Sequence, residues 1–297
     1  MAVDDADQWP GQLGQWQAGE ELGRGGFGVV YQAIDRDSGE FRAIKLIRPQ
    51  QSPDTRHEAL IRRELENGRS MVHRNIVSTY ASGRADDIYF LVMEFCAGGN
   101  VAQMVKSQGP LGAEEAMKMT FDVLAGLEYA HSAPVTAVTA DGEPIPAVGL
   151  VHRDIKPENV LIGTGGSDRM YKIADFGLAK AFELAGMSRM TLTGTKAGTV
   201  WFMCRHQVVN SKRARPEADV WAAAATLYYA LTGSLTRDFP PDRDPYRMVS
   251  MTQPVPIAAR GVKVPDRLAR VVDEALRDRP EIRYQTSAEF RAALEAV

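Results

Sequence analysis

The spacing of apolar residues changes several times along this chain, and each change predicts an element. From Gln15 onward a glycine cluster runs into β-branched and aromatic residues, Leu22-Gly23-Arg24-Gly25-Gly26-Phe27-Gly28-Val29-Val30-Tyr31. Asp37-Ser38-Gly39 interrupts it, and Phe41-Arg42-Ala43-Ile44-Lys45-Leu46-Ile47 follows. The pattern predicts three short strands joined by tight turns. Ser52-Pro53-Asp54 then reads as a helix start, with Glu58, Glu64 and Glu66 on the segment behind it. Residues 88 to 95, Ile-Tyr-Phe-Leu-Val-Met-Glu-Phe, form a nearly continuous apolar strand. Cys96-Ala97-Gly98-Gly99 break it, which predicts a hinge between two lobes.

The second half reads mainly helical. Met117, Phe121, Leu124 and Leu127 recur at helical spacing over residues 113 to 131. Residues 217 to 233 are apolar nearly all round, which predicts a buried central helix. Further helices are expected at about 245 to 252, at 265 to 277, and from a Thr286-Ser287-Ala288-Glu289 capping box to the end. Val135-Thr136-Ala137-Val138 and Ile145-Pro146-Ala147-Val148 flank Asp141-Gly142, so a β-hairpin finger is expected to project from the second lobe. The first 14 or so residues, polar around Trp9-Pro10-Gly11, read as a tail or docking arm outside the core.

Composition narrows the class. A chain of 297 residues with 44% hydrophobic and 25% charged residues is globular and large enough for two packed lobes. A net charge of -3 without a dense Lys/Arg run argues against a nucleic-acid partner or a membrane-surface patch. Cys96 and Cys204 are too few for a disulfide framework and fit a reduced, cytoplasmic setting. No apolar run approaches the roughly 18 residues that a membrane helix needs. The acidic start, with Asp4, Asp5 and Asp7, is unlike a signal peptide.

Candidate chemistry concentrates in His152-Arg153-Asp154-Ile155-Lys156-Pro157-Glu158-Asn159. Asp154 can orient a hydroxyl and accept its proton, Lys156 can neutralise a phosphate, and Asn159 offers an oxygen to a divalent metal. Alone, the octapeptide also fits a solvated polar loop. The glycine cluster leads into a second strand, whereas a dinucleotide-binding unit would open a helix there. It is either a plain hairpin or a backbone lying close over phosphates, with Val30 as an apolar lid on a flat base. Lys45 sits inside an apolar strand, where its ammonium needs an acidic partner or a phosphate. Glu64 is the chosen partner, although charge alone does not separate it from Glu58 or Glu66.

Together these residues resemble a eukaryotic-like (Hanks-type) serine/threonine protein kinase over about residues 16 to 294, of bacterial rather than animal type. The specific marks are the glycine loop, Ala43-Ile44-Lys45, the loop from His152 to Asn159, and Asp175-Phe176-Gly177, in that order. The resemblance implies an α+β, two-lobed fold: an antiparallel five-stranded sheet plus one helix, then a mainly helical lobe, to which the residues between 134 and 148 add the extra β-hairpin before the catalytic loop. It implies an N-terminal extension over 1–15, an N-lobe over 16–94, a hinge over 95–98 and a C-lobe over 99–297.

By the same resemblance, Leu22, Gly23, Gly25 and Gly28 would cover ATP, and Lys45, paired with Glu64, would hold its α and β phosphates. Val30, Ala43 and Leu161 would sandwich the adenine, Met93 would be the gatekeeper, and the backbone of Glu94 and Cys96 would meet the base edge. Asn159 and Asp175 would coordinate Mg2+, with Mn2+ as a substitute. Asp154 would act on a Ser/Thr hydroxyl of a protein substrate, and Lys156 marks the Ser/Thr class. Thr191 and Thr193 are the expected autophosphorylation sites, with Arg153 and Lys180 receiving the phosphate and Thr199 bridging Asp154 and Lys156. Dimerisation through the N-lobe is a further expectation.

Two departures from the family pattern stand out. Cys204-Arg205-His206 occupies the place of Ala-Pro-Glu, so the arginine that normally meets that glutamate, here aligned with Arg283, is expected to bond His206 or Gln207 or to leave the loop mobile. Residues 134 to 148 intervene before the catalytic loop, either as a partner-binding hairpin or as a tolerated surface insertion. These departures sustain a second reading, a pseudokinase-like scaffold or binding module. A small-molecule kinase is a weaker third.

Overall fold

A computed structural model describes residues 9, 13–25, 28–47, 55–85, 88–138, 143–165, 168–176, 197–209 and 214–297. The N-lobe is a five-stranded antiparallel sheet in the order β1-β2-β3-β5-β4, built from β1 (Trp16–Gly25), β2 (Gly28–Asp35), β3 (Phe41–Ile47), β4 (Thr79–Ala85) and β5 (Ile88–Glu94). Among the described residues one helix, α1 (Thr55–Arg69), belongs to this lobe. The Ser52-Pro53-Asp54 helix start lies outside the described residues.

Alternation along the strands gives the sheet two apolar faces. On the cleft side Ala43, Ile47, Leu91 and Met93 pack with Ile61 and Leu65 of α1. On the other side Ala33, Ile44, Leu46 and Val92 form a second cluster, and Leu13, Trp9 and Trp16 pack on it. Leu13 is only 3% exposed, and Trp9 stands edge-on to Tyr31 at 5.6 Å. These two residues of the expected polar tail therefore belong to the N-lobe core, because an apolar sheet face left in water is costly.

The C-lobe comprises α2 (Val101–Gln108), α3 (Ala113–Ser132), α4 (Arg205–Val209), α5 (Pro216–Thr232), α6 (Pro245–Met251), α7 (Asp266–Ala275) and α8 (Ser287–Glu295). Its core centres on α5, where Val220, Trp221, Leu227 and Tyr228 are buried among residues of α3, α7 and α8. Gly233 in the left-handed region ends α5, and a Thr286 side chain caps α8 as the sequence predicts. Asn100 and Gln103 form a reciprocal capping box on α2, a helix too short to show a clear period in the sequence.

The described residues of this lobe also form two ribbons. The expected hairpin is present as β6 (Pro134–Val138) and β7 (Pro144–Val148), and a second ribbon pairs β8 (Val160–Gly165) with β9 (Asp168–Ile173). The first is not a free finger, since it rests against α1 through Asn67. No helix among the described residues is long and apolar enough to cross a membrane.

Candidate active site

The cleft is lined from above by β1, β2 and β3 and from below by the β8–β9 ribbon. Gly28 has φ +130°, and a Cβ there would lie 1.8 Å from the Leu46 carbonyl oxygen, so only glycine lets β2 lie this close to β3. A Cβ on Gly23 or Gly25 would meet nothing within 4 Å, which places these glycines over open space. Beneath them Ala43, Leu91, Met93 and Ala174 are buried in one cluster, with Val30, Cys96 and Leu161 partly buried against it. That is an apolar slot of a kind that suits a flat base.

The hinge is clipped to the lower lobe by backbone bonds. Gly98 N–H donates to Ile162 O at 3.1 Å and Ile162 N–H to Gly99 O at 2.9 Å. A Cβ on Gly98 would approach the Ile162 carbonyl to 2.7 Å. Glu94 pairs with Lys172 Nζ at 2.6 Å, bracing the end of β5 against β9. Burial, helped by the Glu94 charge, pushes the Cys96 thiol up to about 12.

Lys45 is 6% exposed, and its Nζ lies 2.6 Å from Asp175 Oδ2. The bond joins the upper sheet to the segment after β9. Asp175 has φ +68°, a costly conformation for a non-glycine residue that aims its carboxylate into the cleft. Glu64 is buried on α1, and four residues on, a Cβ at Gly68 would lie 2.6 Å from Phe176 O. Helix α1 therefore packs directly on the turn that holds Asp175.

The catalytic-loop candidates are held from beneath by Asp219 of α5. Its carboxylate accepts from His152 N–H at 2.7 Å and Arg153 N–H at 2.8 Å, with His131 Nε2 also at 2.8 Å. His152 is 1% exposed; its Nδ1 accepts from Asp154 N–H at 3.1 Å, and its Nε2 lies 2.7 Å from Ala174 O. That pattern requires the ring proton on Nε2. Asn159 Nδ2 donates to Asp154 O at 2.8 Å and to Asp154 Oδ2 at 3.2 Å, and Lys156 Nζ stands 3.2 Å from the same carboxylate oxygen. Arg153 sits at φ +68°, which turns the chain so that Asp154 follows.

The end of the segment differs from the sequence expectation. Arg283 is exposed and lies over the Tyr284 ring at 4.9 Å. A buried guanidinium belongs instead to Arg205, whose Nη1 donates to Asp278 Oδ1 at 2.6 Å while Nε and Nη2 reach Ser250 O and Thr252 O at 2.8 Å. Arg237, with a fully buried side chain, bonds the other Asp278 oxygen at 3.0 Å. The segment end thus supplies a cation and the helical lobe the anion, the reverse of the family's usual glutamate–arginine pairing, and Arg283 is not the buried partner. Gln207 Nε2 donates instead to Arg153 O at 2.7 Å, tying α4 to the loop that carries Asp154. Thr191, Thr193 and Lys180 lie outside the described residues, as does the Thr199 side chain.

The structure brings together Lys45 and Asp175, and Asp154, Lys156 and Asn159, with the apolar slot beside them. The Asp175 carboxylate and the Asn159 amide oxygen are hard donors of the kind that hold a divalent cation, so these residues fit one. Sequence reasoning missed the roles of Asn67, Asp278 and Arg237. Asn67 sits on the helix next to Glu64, but nothing local marks its partner.

A five-stranded lobe hinged over a helical lobe, with a lysine–aspartate bridge across the cleft, defines the two-lobed kinase class. The chain belongs to the protein kinase domain family, whose model matches residues 16–287. It is 30% identical over 289 residues to the serine/threonine-protein kinase PknB of Mycobacterium tuberculosis, covering 95% of this chain and 43% of that protein. To PknD of the same organism it is 29% identical, covering 98% and 40%. The chain thus spans about two fifths of the length of the curated relatives it matches. The PknI kinase domain of Mycobacterium tuberculosis superposes with a TM-score of 0.70 at 21% identity, covering 100% of this chain and 99% of that one. Rad53 in complex with AMP-PNP gives 0.73 at 22%, covering 95% and 66%.

Proposed function

We propose that the chain is an ATP-dependent serine/threonine protein kinase that transfers the γ-phosphate to protein Ser/Thr hydroxyls and phosphorylates its own activation segment. The observation that carries this reading is the 2.6 Å Lys45–Asp175 bridge, which sets a phosphate-binding ammonium against a metal-binding carboxylate. The scaffold reading has no such support, because the altered segment end is anchored by Arg205 and Asp278 rather than left loose.

In this reading Leu22, Gly23, Gly25 and Gly28 cover the phosphates, and Lys45 holds the α and β phosphates with Glu64 as its partner. Val30, Ala43 and Leu161 enclose the adenine beside Met93, and the backbone of Glu94 and Cys96 meets its edge. Asn159 and Asp175 would hold Mg2+, or Mn2+ in its place. When bound, the cation neutralises charge on the phosphate oxygens and orients them for in-line attack. Asp154 orients the substrate hydroxyl and takes its proton as the oxygen bonds to the γ-phosphorus and the bond to the β-phosphate oxygen breaks, releasing ADP. Lys156 offsets the charge on the transferring group, and Thr199 steadies Asp154 and Lys156.

Thr191 and Thr193 would carry the regulatory phosphates, received by Arg153 and Lys180. The unit divides into an extension over 1–15, an N-lobe over 16–94, a hinge over 95–98 and a C-lobe over 99–297. It pairs through its N-lobe and works in the cytoplasm.

The test is incubation with γ-labelled ATP and Mg2+, with and without a generic protein acceptor, followed by site mapping. Label on Ser or Thr of the chain and the acceptor is expected. Nucleotide binding without any transfer contradicts the reading.

A further inference from the structure

The hairpin reads at first as a surface insertion, yet one of its edges is engaged by α1. Asn67 of α1 is 7% exposed, and its amide bonds a single residue of β6 twice. Nδ2 donates to Thr136 O at 2.9 Å, and Oδ1 accepts from Thr136 N–H at 3.1 Å. One edge of a carboxamide presents an N–H beside a C=O, as the N–H and C=O of a single strand residue do in an antiparallel pair, so Asn67 stands where a third strand would pair.

The register of the ribbon explains why this edge was left open. Thr136 faces Pro146 and Val138 faces Pro144, and a proline nitrogen has no hydrogen to give. At these positions the backbone groups of both strands point away from the ribbon, so the prolines blunt the outer edge of β7. The outer edge of β6 keeps Thr136 N–H, and Asn67 takes it.

What lies on either side of this clasp makes it more than a surface bond. Asn67 is three residues after Glu64 on the same helical face, and Gly68 packs on Phe176 O. At the other end, β7 runs through Gly149, at φ +89° with a Cβ position 2.7 Å from His131 O, into the loop that holds Asp154. The ribbon thus spans from α1 to the catalytic loop.

We propose that Asn67 is a positioning residue: its double bond to Thr136 makes the hairpin a brace that holds α1, and with it Glu64, in the arrangement competent for phosphoryl transfer. This rests on the reading of Glu64 as the partner of Lys45. Freed from the brace, α1 shifts its position relative to Lys45 and Asp175, and the competent population falls.

The test measures steady-state transfer to a generic protein acceptor by the full chain. The variants are Asn67→Ala, replacement of residues 135–147 by Gly-Gly, and the two combined. Either change is expected to lower kcat about tenfold, the scale for losing two side-chain–backbone hydrogen bonds, and to leave acceptor KM within about twofold. The combined variant is expected to be no slower than either one, because both remove the same clasp. Additive losses, or an Asn67→Ala enzyme within about twofold of wild type, would overturn the proposal. If Asn67→Ala does not fold, the Gly-Gly replacement, which leaves α1 untouched, decides the matter by the same kcat criterion.

Glu64→Gln separates the two readings. Wild-type kcat in that variant removes the Glu64 role itself. Lost kcat there together with an unaffected Asn67→Ala removes only the brace.

Discussion

Replacing Asp278 by Ala is expected to destabilise the chain more than any single change at the surface. In the folded protein one carboxylate meets three donors: Arg205 N–H at 3.0 Å, Arg205 Nη1 at 2.6 Å and Arg237 Nη2 at 3.0 Å. The Asp278 side chain is 1% exposed and that of Arg237 0%, so water cannot take its place. Burial already holds the Arg237 guanidinium below its ordinary value, with Asp278 working against that. Without Asp278 two guanidinia stay buried with no anion between them. Breaking one buried pair costs about 3–5 kcal/mol, and about 4 kcal/mol is expected here. For a chain of this size that lowers the thermal midpoint by about 10 °C.

The assay is thermal or urea unfolding of wild type, Asp278→Ala, and a triple variant, Arg205→Met with Arg237→Met and Asp278→Leu. The triple variant removes all three charges, so it should lose less stability than Asp278→Ala despite its greater number of changes. An Asp278→Ala midpoint within about 2 °C of wild type, or a triple variant less stable than the single, would refute the charge argument.

Two further outcomes follow from the titrating groups. Burial pushes both Cys96 and Cys204 thiols up to about 12, so at pH 8 iodoacetamide should modify them about 10³-fold more slowly than an ordinary thiol, with both reacting in urea; rapid loss of Cys96 in the native chain would contradict this. Burial, with the Arg74 charge adding to it, lowers the His73 pKa, and His73 Nδ1 accepts from Asn75 N–H at 3.2 Å, so folding favours the neutral ring. The unfolded chain then binds the proton more tightly, and stability falls as pH drops below about 6.5. The urea midpoint should decline more between pH 7.5 and 5.5 in wild type than in His73→Gln, and equal declines would exclude the linkage.

The parts of this molecule that were legible in the sequence are those whose cause is local. A glycine cluster ahead of a β-branched run, a lysine inside an apolar strand, and a helix apolar on all sides each carry their own reason within a few residues. The hairpin at 134–148 was legible because two short β-prone runs flank the sequence Asp141-Gly142, but its lean on α1 was not, since Asn67 is 69 residues from Thr136. The Arg205–Asp278 pair was misjudged for a related reason. Charge pattern shows that a guanidinium needs a partner, whereas only the packing of α4 against α6 and the turn after α7 selects which arginine is buried. Likewise Trp9 and Leu13 look like part of a polar tail until the apolar sheet face on which they pack is seen. The β8–β9 ribbon went unseen because Gly163, Gly165 and Gly166 interrupt its apolar run.

The central claim is that Asp154 acts on the substrate hydroxyl in a cleft that binds ATP through other residues. It is tested most directly by comparing Asp154→Ala with wild type for nucleotide affinity and for kcat in transfer to a protein acceptor with Mg2+. Nucleotide affinity within about twofold of wild type and a kcat lower by about 10³ or more are expected. An Asp154→Ala chain that transfers phosphate at close to the wild-type rate would contradict it.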